Sequence, residues 1–479
     1  MSNRPQPTSE ARADPASFRD PSGRVMHLGG RVFRALTPRG AAQWRLAADA
    51  CAELVREGLL VDTRELAHPP ADLRAAAPDA ELFLEHEPVA PITWPAEWTA
   101  AMLADAGLLT LDIEQRLLAR GLSLQDATAY NVAFRGARPV FLDAGSIVRP
   151  ARLDIWYALG QFQRMFAYPL MLARRGFTPA VVFGSALDGV TPRRMARALG
   201  PLGWLNPGNL LRVYLPAWLE GASRGRAAVG TATSPTGNPE VQRAILRGQA
   251  RRLRRLRDGL RPRGVWVDYR DDNSYDAQAE QAKQSAVAAF GATLRGARVL
   301  DLGANTGTYS RILAANGCRV LALDADHDAL DLFYREAAGD RLSGVDFLHA
   351  NLANPTPGIG YMNRERAPLL QRAHGDGAIA LALVHHLLVT AGLTVAQVAE
   401  LLCGLAPRLL VEYVAPIDPM FQRLVAGRED LWRGLDEDWF RRAFEANGMV
   451  TQTRVDLISG RRVLLQFNRV TAAGNGVAA

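Results

Sequence analysis

Three polar side chains at fixed spacing, Asp126, Asn131 and Asp143, are the first candidates for chemistry in this 479-residue chain. They lie in LQDATAYNVAFRGARPVFLDAGS (124–146), with Ala144 and Gly145 directly after the second acid. A carboxylate, an amide five residues on and a second carboxylate before a glycine can supply a proton acceptor and two magnesium ligands for phosphoryl transfer from Mg-ATP. The same three residues can also simply tie a loop together by hydrogen bonds. Phosphoryl transfer further needs a cation on the phosphates and a loop over them. No lysine precedes Lys283, and no GxGxxG appears. Arg34 could stand in for the lysine, although its planar fork is not equivalent to an ammonium point charge.

A second constellation lies in VLDLGANTGTYS, where Asp301 ends an apolar run and Gly303, Ala304, Asn305 and Gly307 form a turn. A dinucleotide fingerprint would set a pyrophosphate on the following helix. Here an acid at the strand end suits a cationic aminoacyl group instead, and the glycines let backbone approach a ligand closely. Asp324, seventeen residues after Gly307, ends the next apolar run, where a carboxylate can accept from two ribose hydroxyls. Asn351 ends the third run and could meet an adenine edge.

In ALALVHHLL, His385 and His386 fall at the C-terminal end of a fourth strand, the edge at which parallel sheets bind ligands. Either could orient or deprotonate an acceptor group, with His386 favoured, and both could equally be packing residues at a corner. Glu412 and Tyr413 on a fifth strand are weaker candidates. Tyr269, Tyr275 and Lys283 belong to a segment that could close over the cofactor.

The elements that must position these groups divide the chain. From residue 297, apolar runs alternate with helical patterns, as in a parallel α/β sheet, and end in a helix and a hairpin around Ser459-Gly460. Before that, a hairpin around Gly29-Gly30, a helix near 40–57, a strand in ELFLEHEPVAPITWP and helices to about 120 precede the 124–146 loop.

These features resemble two known families. The glycine turn, Asp324 and the terminal hairpin resemble the class I S-adenosylmethionine-dependent methyltransferases. Short strands, hinge, helices and then D-x4-N…D-x-G resemble the protein-kinase order, although Leu-Gln replaces the His-Arg or His-Gly that usually precedes the first acid. From about residue 26 to 470 the whole chain resembles a group of two-part bacterial methyltransferases that includes proteins named for nodulation. The carrying segments include QFQRMFAYPLMLARRG, WVDYRDDNSY, LALVHHL and DEDWFRRAF. Relatives often lack the glycine of Asp143-Ala144-Gly145, which leaves magnesium binding open. The fold expected is α/β: a Rossmann-like class I methyltransferase sheet (265–470) preceded by an α+β kinase-like domain (26–225). An Arg-rich linker helix (226–264) would join them, with tails at 1–25 and 471–479. The implied activity is methyl transfer from S-adenosyl-L-methionine; the resemblance brings no acceptor, for which a small molecule or saccharide is expected, O-methylation being slightly favoured because no NPPY-like motif marks amide or base-amine methylation. The rivals are a bifunctional kinase–methyltransferase and a non-catalytic scaffold.

Composition narrows the field. Hydrophobic content of 48% and charged content of 22% fit a globular protein. Cys51, Cys318 and Cys403 are dispersed, so neither a disulfide framework nor a zinc site is expected, in keeping with a reducing cytoplasm. The N-terminus lacks a signal-peptide core, and the most apolar stretch, 156–177, is broken by Gln161, Gln163 and Arg164, so a buried helix is expected rather than a membrane span. Residues 243–263 hold nine Arg against one Asp, enough to account for the whole net charge of +7. Leu246, Leu253, Leu256 and Leu260 share one helical face there, which suits a docked helix better than a nucleic-acid contact.

Overall fold

The computed structural model describes residues 10–184, 186–220, 235–261, 275–429 and 431–470. The chain forms two compact units. One comprises Pro5–Arg261 with Pro357–Ala367, and the other takes Pro262–Thr356 and Pro368–Ala479.

The N-terminal unit starts earlier than expected: residues 10–25, expected as a tail, are folded. Strand Arg12–Ala13 pairs with Met26 and His27, and the Asp14 carboxylate meets His27 Nε2 at 2.8 Å. Strands Gly23–Leu28 and Arg31–Leu36 form a hairpin whose Leu28 and Arg31 are paired across Gly29 and Gly30. Both glycines have positive φ, as a two-residue hairpin turn requires. With Leu82–His86 and Thr63–Glu65 they complete a five-stranded sheet over a core of Met26, Phe33, Leu73 and Phe83. Helix Pro38–Arg56 begins at Thr37, whose Oγ1 accepts the Gly40 N–H at 3.3 Å.

The helical part of this unit is built on Ala100–Leu118, of which little is exposed. Its buried Glu114 accepts from Ser123 Oγ and the Leu124 N–H, each at 2.7 Å, and from Gln242 Nε2 at 2.5 Å. Burial pushes the Glu114 carboxyl up to about 8, so it is mostly neutral at pH 7, with donors on both oxygens. Gln242 belongs to the Arg-rich helix Pro239–Asp258, which is therefore part of this unit's core and not a linker. Its Leu246 and Leu253 are completely buried, and the Gly107 Cα lies against the Leu253 side chain. Segment 159–173 is helical with a π turn at Gln163–Ala167, and no described helix is long and apolar enough to cross a membrane.

The C-terminal unit is a seven-stranded sheet in the order 3-2-1-4-5-7-6, counting from Arg298–Leu302. Strands one to five are parallel and the seventh, Arg462–Arg469, is antiparallel to its neighbours Arg408–Val414 and Met449–Ile458. The parallel strands read as unbroken apolar runs because helices cover both faces. One apolar cluster extends from Leu300 through Val398 and Phe421 to Phe467.

Candidate active site

The C-terminal ends of the first two strands carry the cofactor turn. Asp301, buried near the end of Arg298–Leu302, accepts from Ser310 Oγ at 2.6 Å and so ties the strand to helix Thr308–Ala315. Burial pushes its carboxyl up to about 7. Gly303 and Gly307 have φ of +84° and Asn305 has φ of +50°. At Gly307 a Cβ would stand 2.1 Å from the Phe333 ring, so both conformation and space demand glycine. The turn presents the Asn305 N–H to Asp324 Oδ2 at 2.7 Å, and the Asp326 N–H meets Oδ1 at 2.7 Å. The Ala325 N–H also bears on this carboxylate, which still keeps acceptor capacity for a hydroxyl donor. Burial lifts this carboxyl to about 6. Ala304 is buried, its N–H bonded to the Leu323 carbonyl at 3.0 Å.

Two expectations need correction. The third strand stops at His349, and Asn351 lies exposed in the turn beyond, its Oδ1 accepting the Ala353 N–H at 2.9 Å. His349, which sequence reasoning missed, pairs across the sheet with Asp324. Its Nε2 donates to the Ala325 carbonyl at 3.2 Å, and its ring meets His327 edge-on at 5.4 Å. Its Nδ1 is buried without a hydrogen-bond partner among the described residues, and burial lowers its pKa to about 4. An unprotonated, acceptor-only nitrogen on the residue paired with Asp324 could accept from an exocyclic amine of a base.

His385 and His386 do not end the fourth strand. That strand is Gly377–Ala380; Ala382, at φ +49°, turns the chain, and both histidines sit on helix Val384–Val389. His385 is buried against Phe421, with neither ring nitrogen hydrogen-bonded among the described residues. Burial, with His386 and Arg462 nearby, holds it well below the ordinary histidine range. His386 is half-buried, and burial plus Arg462 brings it to about 4. Both rings are neutral at pH 7.

The most organised polar group lies on strand five and its neighbours. Lys283, the chain's single lysine and 2% exposed, pairs with the buried Glu412 at 2.8 Å and donates to Tyr275 Oη at 2.9 Å. Tyr275 donates to Glu412, Arg462 donates to Tyr275 Oη at 2.6 Å, and Glu412 Oε2 accepts the Ala382 N–H at 2.9 Å. Arg462 grips Asp418 with both Nε and Nη2, at 2.8 and 2.9 Å. The ammonium and guanidinium also stand 4.3 and 4.6 Å from the centre of the Tyr275 ring. Two cations and two carboxylates balance, the condition under which buried charges are tolerated. Burial alone would raise Glu412, but Lys283 and Arg462 hold it below the usual carboxylate range. Lys283 also acts on Asp301, so this network borders the cofactor turn. Tyr413, by contrast, donates to the Leu435 carbonyl at 3.0 Å and is buried as a packing residue. Tyr269 lies outside the described residues.

In the N-terminal unit, hairpin Val132–Arg135/Arg138–Phe141 explains the spacing of the first candidates: Asn131 and Asp143 flank it and meet at 3.4 Å. Arg34 reaches Asp143 and Asp20 together, while Asp143 Oδ1 also accepts the Gly145 N–H at 3.1 Å. A Cβ on Gly145 would fall 2.7 Å from the guanidinium. Asp126 feels both acids and, with burial, is raised. Arg34, the candidate phosphate cation, is thus paired with two carboxylates, one of them the Oδ1 of the candidate magnesium ligand Asp143. Among the described residues, no group of three or more His, Cys, Asp or Glu is gathered to hold a metal ion.

Strand order 3-2-1-4-5-7-6 and the glycine turn beyond its first strand give the C-terminal unit the fold of the class I S-adenosylmethionine-dependent methyltransferases. The chain is 32% identical over 459 residues, 95% of each chain, to nodulation protein NoeA of Rhizobium meliloti strain 1021, and it belongs to that family. No protein-family profile matches it. Among solved structures it is similar to the magnesium protoporphyrin IX methyltransferase of Synechocystis PCC 6803, bound to S-adenosylmethionine (18% identity, TM-score 0.31, covering 43% of this chain and 89% of that one). It is also similar to the bifunctional kinase-methyltransferase WbdD (17% identity, TM-score 0.30, covering 44% and 43%).

Proposed function

We propose that this enzyme transfers the methyl group of S-adenosylmethionine to an oxygen of a small-molecule or saccharide acceptor, and that its kinase-like N-terminal unit recognises the acceptor or a nucleotide without phosphorylating it. The observation that carries the cofactor site is the Asn305–Asp324 contact beyond strands one and two, with the charge-balanced Lys283–Glu412–Tyr275–Arg462–Asp418 network held around strands five and seven of the same sheet. The cofactor, when bound, supplies an electrophilic methyl on a sulfonium. Asp324 would take the ribose hydroxyls, and the Gly303–Gly307 turn admits the ligand because no Cβ intervenes. Asp301 would serve the aminoacyl end, and Tyr275 and Lys283, fixed by Glu412, would bound the site near it. His386, half-buried and neutral, is the group suited to accept an acceptor hydroxyl's proton or hydrogen bond. A pKa near 4 makes it a weak base, so orientation is its larger part.

Support for the second part is the Arg34–Asp143 pair. A magnesium ion at Asp143 would have to compete with the guanidinium already held on its Oδ1.

Calorimetric titration with S-adenosylmethionine, comparing the native chain with Asp324→Ala, tests the cofactor site; binding should weaken by at least about tenfold in the variant, as loss of a charge-assisted hydrogen bond implies. Transfer of labelled methyl to hydroxylated acceptors, reduced in His386→Ala with cofactor affinity unchanged, tests the chemistry. Transfer only to amines would overturn the oxygen assignment. Magnesium-dependent ATP turnover that disappears in Asp126→Ala would overturn the reading of the N-terminal unit.

A further inference from the structure

We propose that the face formed by residues 202–219 of the N-terminal unit docks on an anionic lipid bilayer, lying on its surface. Eight large apolar side chains are exposed within these eighteen residues, among them Leu202 (78%), Leu205 (80%) and Trp218 (75%). Soluble surfaces seldom carry apolar side chains this densely. The face is built, not frayed. Val213 and Tyr214 are buried beneath it, Tyr214 stacks on Trp204 at 4.5 Å, and Tyr168 Oη donates to the Arg212 carbonyl at 2.6 Å. The outward leucines are thus the unburied side of an anchored segment.

Charge decides among the candidate occupants. From Thr191 to Leu219 the chain holds Arg193, Arg194, Arg197 and Arg212, all exposed, and no acid. The first acid beyond, Glu220, already accepts the Arg193 N–H at 3.2 Å. A second copy of the same face would set arginine against arginine with no carboxylate to relieve it. A nucleic acid would satisfy the arginines and leave Leu202, Leu205 and Trp218 in water. An anionic bilayer meets both needs, with phosphates for the arginines, an apolar boundary for the leucines and an interface for the tryptophans. The contact proposed is with the bilayer surface, and no described helix is long and apolar enough to cross a membrane.

The test is flotation of the full chain with phosphatidylcholine vesicles, with and without phosphatidylglycerol, alongside tryptophan emission. The native chain should float with the anionic vesicles, less so as salt rises, with a blue shift of emission. Leu202→Ser/Leu205→Ser/Trp218→Ser changes side chains that are already in water, so the circular-dichroism melt should be retained while partitioning falls by at least about tenfold, given the area removed. Arg193→Gln/Arg194→Gln/Arg197→Gln should abolish the preference for anionic vesicles, and it decides the matter if the serine variant fails to fold. Failure of the native chain to float, or flotation that neither variant reduces, overturns the proposal. So does concentration-dependent self-association that the serine variant removes without any vesicle binding.

Discussion

At the residue scale, the groups readable from sequence are those whose partners are near in the chain. Gly303, Gly307 and Asp324 form a local turn, and turn geometry is written in residue type. The Lys283–Glu412–Arg462 network was not readable as a network. Lys283 and Glu412 were only individual suspects, and Arg462 and Asp418 were missed, because only the sheet order brings a residue at 283 to residues at 412 and 462. Arg34 and Asp143, likewise, meet across 109 positions. The same burial that makes Asp301 useful has a cost. Its carboxyl titrates near 7 in the folded chain and near the ordinary 3.8 when unfolded. Between those values the native state holds a proton that the unfolded state has released, so this group lowers stability as pH rises from about 4 to about 7. Asp301→Asn keeps an acceptor for Ser310 and removes the titration. It should raise the cofactor-free melting temperature at pH 8 by an amount on the order of 2–4 kcal/mol in stability, and the gain should shrink toward pH 4. Thermal melts of both proteins across that range decide it, and a gain independent of pH would show that Asp301 is not the titrating group.

At the element scale, periodicity served well where one face is buried. The leucine stripe of 246–260 placed a helix correctly, and the structure seats it against Ala100–Leu118. Composition misled on its role, because a run of arginine reads as a solvated linker whether or not its other face is core. The histidines show the opposite failure. The apolar run ALALV reads as a continuous strand, but Ala382 at φ +49° ends it early, and nothing in an alanine announces a left-handed backbone. If Pro239–Asp258 is core, Leu253→Ala should destabilise the protein by about 2–4 kcal/mol through the cavity it leaves. Arg251→Ala, Arg254→Ala and Arg255→Ala, all exposed, should each stay within about 0.5 kcal/mol of native. Denaturant titrations of the four variants check this, and equal losses at Leu253 and at the arginines would contradict the packing.

At the scale of the whole molecule, the boundary between the two units does not follow chain order. The chain leaves the C-terminal unit after Thr356, contributes Pro357–Ala367 to the N-terminal unit, and returns at Pro368. Those residues form a small antiparallel bridge between Ile359 and Arg366. Trp94 Nε1 donates to the Ala367 carbonyl at 3.1 Å, and the Arg366 guanidinium stands 4.7 Å from the Tyr130 ring centre and 5.2 Å from that of Trp94. Arg19 pairs with the buried Glu365 at 3.3 Å. Sequence patterns could not reveal this excursion, since its partners lie more than 200 positions away. It implies an asymmetry. Replacing 357–367 by a Gly/Ser linker removes cation–π and hydrogen-bond contacts from the N-terminal unit, at about 1–2 kcal/mol for the ring contacts alone. To the C-terminal unit the same change is only an altered surface loop, which costs little closure entropy. Calorimetry of the full chain should therefore show the N-terminal transition moving down with the C-terminal one nearly fixed, and a 262–479 fragment should melt alike with either loop. A C-terminal transition that falls as far as the N-terminal one would mean that 357–367 belongs to the methyltransferase sheet after all.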